Sequence, residues 1–105
     1  CVMPTRNGRN GMIFTWQGVM NLRNKKWEDD FSELDPTGCS YVDHAYTRAY
    51  VRHLIHAQEM LGLEILSIHN LAFYLDLVGQ ARQHILAGDF PAWKARVMPD
   101  IMKRL

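Results

Sequence analysis

Short hydrophobic runs occupy the first quarter of the chain, and hydrophobic residues at helical spacing occupy the second half. The apolar segment 2–5 predicts the end of a buried strand, which Pro4 closes. Segments 12–16 and 19–23 are rich in β-forming residues and flank a Gln-Gly pair, which predicts a β-hairpin. We therefore expect a small antiparallel sheet near the start of the chain.

Helical periodicity begins at about residue 44, after a polar segment, 24–43, that we expect to be irregular. The segment 44–61 predicts a first helix, and Gly62 is placed to cap its end. The segment 64–68 predicts a short extended connection. One face of this helix carries hydrophobic residues at spacings of three and four: Tyr46, Tyr50, Leu54, Ala57 and Leu61.

Two further helices follow. The second is expected over residues 70–86, with Asn70 as its N-cap and Gly88 as its end. Asp89 is placed to cap a third helix, whose first turn contains Pro91. Pro99 should kink or break that helix.

Composition indicates one globular domain of 105 residues, with 48% hydrophobic and 22% charged residues. Residues 1–27 contain five basic and no acidic side chains, whereas residues 28–43 contain six acidic and no basic ones. A basic first quarter can attract a polyanion, and the acidic stretch is expected to be a solvated loop. Cys1 and Cys39 are too few for a disulfide framework. We see no signal peptide and no apolar run of membrane-spanning length, so we expect a cytoplasmic protein without a membrane partner.

Segment 4–11 combines two arginines, two asparagines and two glycines. Glycine permits backbone conformations closed to other residues, and arginine presents a planar fork of donors to phosphates and guanine edges. This composition favours an RNA or phosphate contact. A solvated basic turn is the alternative.

The full string at residues 1–11, CVMPTRNGRNG, resembles a segment of the tRNA-guanine transglycosylases. These enzymes exchange the wobble guanine of certain tRNAs for the queuine precursor preQ1 during queuosine biosynthesis. The resemblance extends to about residue 75, and the remainder is similar to the variable tail of the family. Further motifs stand in the family's order and spacing at residues 21–27, 34–36, 48–50, 53–54 and 68–71.

The resemblance implies an α/β fold, the (β/α)8 TIM barrel, of which this chain would form the C-terminal part. As a fragment, the chain would be α+β. Residues 1–11 would be the end of a barrel strand and the RNA-recognition loop, and residues 12–43 a small antiparallel sheet and loop. Residues 44–105 would be a helical subdomain and the terminal barrel helix. Family members are homodimers, and the helical subdomain would contribute to the interface.

The resemblance also assigns RNA contacts. Arg23, Lys25 and Lys26 would contact phosphates, with a solvated strand edge as the alternative. Trp16 is expected to pack within the protein, with base stacking as its alternative role. Contacts to the wobble base and its neighbours in the tRNA anticodon loop would come from one run of residues: Thr5, Arg6, Asn7, Gly8 and Arg9.

No catalytic residue is expected in this chain. By the family motif, the nucleophilic aspartate that attacks ribose C1′ would immediately precede Cys1, and the acid/base aspartate is also absent. Because the chain starts with cysteine inside an expected strand, we interpret it as a piece of a longer protein. We expect this piece alone to be catalytically silent.

The family's structural zinc site, three cysteines and a histidine, is altered here. Gly38, Ser40 and Asp43 stand at the cysteine positions, and His69 alone remains. We expect no zinc cofactor, with packing and hydrogen bonds from Ser40 and Asp43 in its place and His69 as a satisfied core or capping histidine. The alternative is a rescued metal site built from Cys39, Asp43 or His44, and His69.

Two other interpretations remain. His53 and His56 stand three residues apart and would share a helix face, which we expect to be a polar flank and not a metal site. A non-catalytic RNA-binding or dimerisation module is the alternative to an enzyme fragment. Neither the enzyme fragment nor the RNA-binding or dimerisation module would have DNA as a partner.

Overall fold

The computed structural model describes residues 3–105, which form a small α+β unit as predicted. The longest helix, α4, is the centre of this unit, because α1, β1, α2, α3 and α5 all pack against it. The elements in chain order are α1 (Met3–Arg9), β1 (Met12–Thr15), β2 (Gly18–Asn21), a 3-10 helix (Lys25–Trp27), α2 (Tyr41–Ala45), α3 (Arg48–His56), α4 (Met60–Ala87) and α5 (Phe90–Ile101).

The first described segment is a helix, which corrects the predicted strand end and loop; Val2 lies outside the described residues. Pro4 lies in the first turn, where its missing N–H is not needed. Gly11, with φ of 86°, follows the helix and turns the chain into β1. Gly8 packs on α4 so closely that an added Cβ would lie 3.0 Å from the Ser67 backbone nitrogen. Tertiary packing therefore stabilises a helix that the local sequence does not predict.

The predicted hairpin is confirmed. β1 and β2 pair antiparallel, with Ile13 opposite Met20 and Phe14 opposite Val19. The C-terminus pairs with the outer edge of β2, since the Val19 N–H donates to the Lys103 carbonyl and the Leu105 N–H donates to the Val19 carbonyl. This pairing covers the edge that a two-stranded sheet would otherwise expose.

The predicted helix over 44–61 is in fact divided among three helices, because it covers the end of α2, all of α3 and the first two residues of α4. Helix α2 begins within the segment predicted to be irregular. Ser40 caps α2 in a capping box, in which its hydroxyl accepts from the Val42 N–H while Asp43 accepts from the Ser40 N–H. Thr47 caps α3 by accepting from the Tyr50 N–H at 3.1 Å. The cap at Thr47 therefore interrupts the expected helix, and the turn before α4 interrupts it again.

Helix α4 corrects three predictions. Gly62 does not cap a helix: it is buried in α4, where an added Cβ would lie 3.0 Å from the Leu54 Cβ of α3. The segment 64–68 is helical, and Asn70 is buried in mid-helix and is not an N-cap. The break between α3 and α4 lies earlier, at Gln58, whose φ is 57°. Gly88 ends α4 in the left-handed conformation, as predicted.

Helix α4 is also long and apolar enough to cross a membrane by length and composition, with a mean hydropathy of 1.4, which corrects our expectation of no such run. A third of the apolar 18-residue stretch that meets this criterion is buried within the described structure. Its buried residues include the polar His69 and Asn70. Buried polar side chains of this kind are typical of the core helix of a folded domain.

Helix α5 starts with Pro91 in its first turn, as predicted. Asp89 occupies the N-cap position but makes no capping hydrogen bond through its side chain; its carboxylate pairs with His84. Pro99 lies inside the helix, which ends two residues later. Trp93 is the buried residue of α5 and stacks on the His84 ring.

Candidate nucleic-acid interface

Arg6 and Arg9 lie on the solvent side of α1. The two side chains are exposed and stand three residues apart, which places them near each other on one helix surface. The opposite side of α1 contains the buried Pro4 and Gly8. The segment therefore presents both guanidinium groups from a helix and not from a loop.

The other predicted recognition residues lie elsewhere. Gly8 is buried and cannot present a side chain, and Thr5 is half-buried. Asn7 lines an apolar cavity of about 470 Å³ together with Met12, Phe14 and residues of α4 and α5. The structure therefore brings Arg6 and Arg9 to one exposed surface and places Asn7 on another.

Asn70 fixes the position of α1 and β1 against α4, a role that the sequence did not reveal. Its side-chain amide donates to the carbonyls of Pro4 and Met12, each at 2.9 Å, and its Oδ1 accepts from the Phe14 N–H at 3.1 Å. Asn70 is fully buried. These partners lie more than 50 residues away in sequence, so no local signal could identify them.

The residues predicted to contact phosphates also lie at two different places. Arg23 is exposed, and its Nε donates to the Asn10 carbonyl at 2.9 Å, so it lies beside the end of α1 and lines the same cleft as Arg9. Lys25 and Lys26 are exposed on the 3-10 helix, where the Lys26 ammonium lies 4.8 Å from the Trp27 ring. Arg23 therefore belongs with the α1 arginines and not with the two lysines.

The residues at the expected zinc position form a buried acid–histidine cluster. Asp35, Asp43 and His69 are each about 1% exposed, and their ligand-type atoms lie within 4.8 Å of one another. The His69 Nδ1 is hydrogen-bonded to Asp43, and its Nε2 donates to the Phe14 carbonyl at 2.8 Å. Asp35 Oδ2 lies 3.9 Å from the same ring and has no hydrogen-bond partner among the described residues.

This donor set does not fit a structural zinc ion. Such sites use four cysteine or histidine ligands, whereas here the carboxylates outnumber the single imidazole. Both nitrogens of His69 face hydrogen-bond acceptors, so neither offers a free lone pair. Ser40 caps α2, and Gly38 has no side chain; an added Cβ there would lie 2.0 Å from Asp43 Oδ2.

The environment of His69 favours its charged form. Burial alone would lower the pKa of His69, but the hydrogen bond and charge of Asp43, the Phe14 carbonyl and the charge of Asp35 together raise it above its ordinary value. These contacts therefore favour protonation of the buried His69 ring beside the Asp43 carboxylate.

Cys39 and His44 do not join this cluster. His44 is exposed and hydrogen-bonds Glu33 and the Gly38 carbonyl, contacts that raise its pKa. Partial burial and the charges of Asp76 and Asp43 raise the pKa of the Cys39 thiol, which disfavours the thiolate that a metal requires. Asp43 and His69 of the rescued site thus lie together with Asp35, whereas Cys39 and His44 are not members of that group.

The remaining candidates take ordinary positions. His53 and His56 are exposed near the end of α3, and His56 borders the cleft that contains Arg9 and Arg23. Trp16 packs edge-on against Phe73 and donates to Asp76 at 3.2 Å. Packing, not base stacking, accounts for its contacts in this structure.

The sequence of the chain is similar to known proteins over almost its whole length. The family model described as queuine tRNA-ribosyltransferase matches residues 1–103. The chain belongs to the queuine tRNA-ribosyltransferase family. The resemblance to the tRNA-guanine transglycosylases is thereby confirmed.

Individual family members match over nearly the whole chain. The queuine tRNA-ribosyltransferase of Oleidesulfovibrio alaskensis is 46% identical over 96 residues, which are 91% of this chain and 26% of that protein. That of Aquifex aeolicus is 39% identical over 105 residues, 100% of this chain and 28% of that protein. The chain therefore spans about a quarter of the length of these relatives.

Proposed function

We propose that the chain is the C-terminal tRNA-binding and dimerisation part of a queuine tRNA-ribosyltransferase. The parent enzyme would carry the (β/α)8 barrel and exchange the wobble guanine of the anticodon for preQ1. It would work as a cytoplasmic homodimer, with tRNA as its nucleic-acid partner and without DNA or a membrane.

The observation that supports this proposal is the pair of exposed arginines on α1. Exposed guanidinium groups can reach the edges of bases that leave the stack in a single-stranded loop. The hydrogen bond from Asn70 to the Pro4 carbonyl joins α1 to α4. A helix already held in place by such contacts reduces the ordering cost of binding.

We also propose that the chain lacks two features of the family, the catalytic residues and the structural zinc ion. The chain would supply no catalytic residue, because none of its acidic residues stands in a motif like those of the two family aspartates. It also binds no structural zinc, because the Asp43–His69 pair fills that position. Guanine incorporation into tRNA by this chain should match that of a catalytically dead parent enzyme.

The direct test is binding of the 105-residue chain to a labelled anticodon stem-loop RNA, measured by fluorescence anisotropy. The chain should bind a loop with the wobble guanine more tightly than a loop with a substituted wobble base. Arg6→Ala and Arg9→Ala should each weaken binding, whereas the control Arg82→Ala on exposed α4 surface should not. Equal affinity for both loops, or for a DNA loop of the same sequence, would overturn the proposal.

A further inference from the structure

A polar cleft lies beside α1 and shares no lining residue with the apolar cavity. It has a volume of about 350 Å³ and lies where the end of α1, the segment after β2 and the turn between α3 and α4 meet. Its polar lining residues are Arg9, Arg23, His56, Gln58 and Glu59. The cleft therefore combines two arginines with a single carboxylate.

Two contacts hold the Arg23 side chain in place. Its Nε donates to the Asn10 carbonyl, and its aliphatic part lies over Gly11, where an added Cβ would lie 3.0 Å from the Arg23 Cγ. Among the described residues, neither Arg23 nor Arg9 forms an ion pair. Glu59 is the one carboxylate among the lining residues and pairs with neither arginine, so both guanidinium groups can attract an anion in the cleft.

The turn between α3 and α4 adds to this environment. Gln58, at φ of 57°, leads into α4, whose N-cap Glu59 makes no capping hydrogen bond through its side chain. The first turn of α4 therefore contributes amide donors that no side chain caps, and its dipole favours negative charge. This contribution is secondary to that of the arginines.

We propose that this cleft binds a phosphate group, and that in the proposed function the phosphate belongs to the RNA backbone. This inference rests on tRNA binding by α1, because the cleft shares Arg9 with that surface. Guanidinium forks match phosphate oxygens in geometry and charge, and the cleft volume leaves room for the attached sugar. Arg9 would then link base recognition on α1 to a backbone contact beside it.

The test compares Arg23→Ala with the control Arg96→Ala, which removes an exposed arginine of α5 outside the cleft. Arg23→Ala should weaken stem-loop binding about tenfold at low salt, equally for matched and altered wobble bases. It should also reduce the slope of log K against log salt by about 0.7–1. Arg23→Gln retains the stem over Gly11 and should give the same loss if Arg23→Ala does not fold.

The possible outcomes separate this inference from the proposed function. If RNA binds but the Arg23 variants behave like Arg96→Ala, the cleft inference is wrong while tRNA binding stands. If no RNA binds, inorganic phosphate is titrated against the chain and backbone amide signals are followed by NMR. Shifts at the cleft in the wild type but not in Arg23→Ala would identify a free-phosphate site and reject the tRNA role. No shift in either would overturn the inference.

Discussion

Asp43 shows how one side chain connects several local requirements. It accepts from the Ser40 N–H in the capping box and pairs with His69 on α4, and its carboxylate fits only because residue 38 is glycine. The sequence predicted the hydrogen-bonding roles of Ser40 and Asp43 and a satisfied His69. It could not predict the Phe14 carbonyl as the second partner, because Phe14 lies 55 residues before His69.

Replacing Asp43 should therefore be strongly destabilising. Asp43→Ala leaves His69 buried without its partner and should cost about 3–5 kcal/mol of unfolding free energy. Asp100→Ala is the control, because the exposed Asp100–Lys103 pair should contribute less than about 1 kcal/mol. Urea unfolding followed by circular dichroism measures both, and equal effects of the two variants would show that the buried pair does not stabilise the fold.

The pH dependence of stability follows from the raised pKa of His69. Since folding favours the protonated imidazole, this stabilisation is complete below about pH 6.5 and is lost as pH rises through the higher folded-state pKa. The unfolding free energy of the wild type should thus decrease with rising pH relative to that of His69→Gln. Urea titrations of both proteins at a series of pH values would measure the difference, and a constant difference would contradict the expected sign.

At the level of elements, the sequence predicted those features that local chemistry determines. The hairpin, the left-handed Gly88 and the proline in the first turn of α5 all depend on neighbouring residues. The local sequence predicts helix ends at Gly62 and Asn70, but both residues serve tertiary contacts. Gly62 packs against α3, and Asn70 donates a hydrogen bond to β1. Helix α1 was missed for the same reason, since its Gly8 packs against α4.

Asn70 should control the attachment of α1 to the rest of the unit. Asn70→Ala leaves the Pro4 and Met12 carbonyls and the Phe14 N–H without their partner, and each unpaired buried group costs about 1–3 kcal/mol. We expect a lower unfolding free energy and faster amide hydrogen exchange in α1 than in the control Gln83→Ala, an exposed α4 site. Unchanged exchange in α1 would show that other contacts hold it.

The arginines of α1 and the lysines of the 3-10 helix should differ in the kind of effect they have. In the parent enzyme, Arg6→Ala or Arg9→Ala should cost about 1–3 kcal/mol in discrimination between anticodon loops. Lys25→Ala or Lys26→Ala should weaken all tRNAs about equally and flatten the salt dependence. Exchange rates on matched and altered stem-loops decide this, and a change of sequence preference confined to the lysine variants would reverse the assigned roles.

For the molecule as a whole, α4 is the common packing partner, yet one side of it is exposed. Leu75 and Leu86 are more than 70% exposed, and an apolar cavity lies between α4, α5 and the hairpin. The α+β class was predictable from short runs and helical periods. The arrangement was not, because it depends on contacts of His69 and Asn70 with residues distant in sequence.

We expect that no bound metal stabilises the unit as a whole. Purified chain should contain no stoichiometric zinc, and neither a chelator nor added zinc should change its melting temperature. A zinc ion present at 100 times its dissociation constant would stabilise the folded state by about 2.7 kcal/mol, which would shift the melting temperature of a domain this size by roughly 10–20 °C. Elemental analysis and thermal melts therefore give a clear answer.

The matched control restores the family's ligands in one variant, Gly38→Cys, Ser40→Cys and Asp43→Cys. All three changes are needed together, because a side chain at position 38 collides with the Asp43 carboxylate. Without that carboxylate, His69 regains a free nitrogen, so the triple variant should bind zinc and melt at lower temperature with chelator. One tightly held zinc per wild-type chain, with a melting temperature that falls on chelation, would show instead that Asp35, Asp43 and His69 form a metal site.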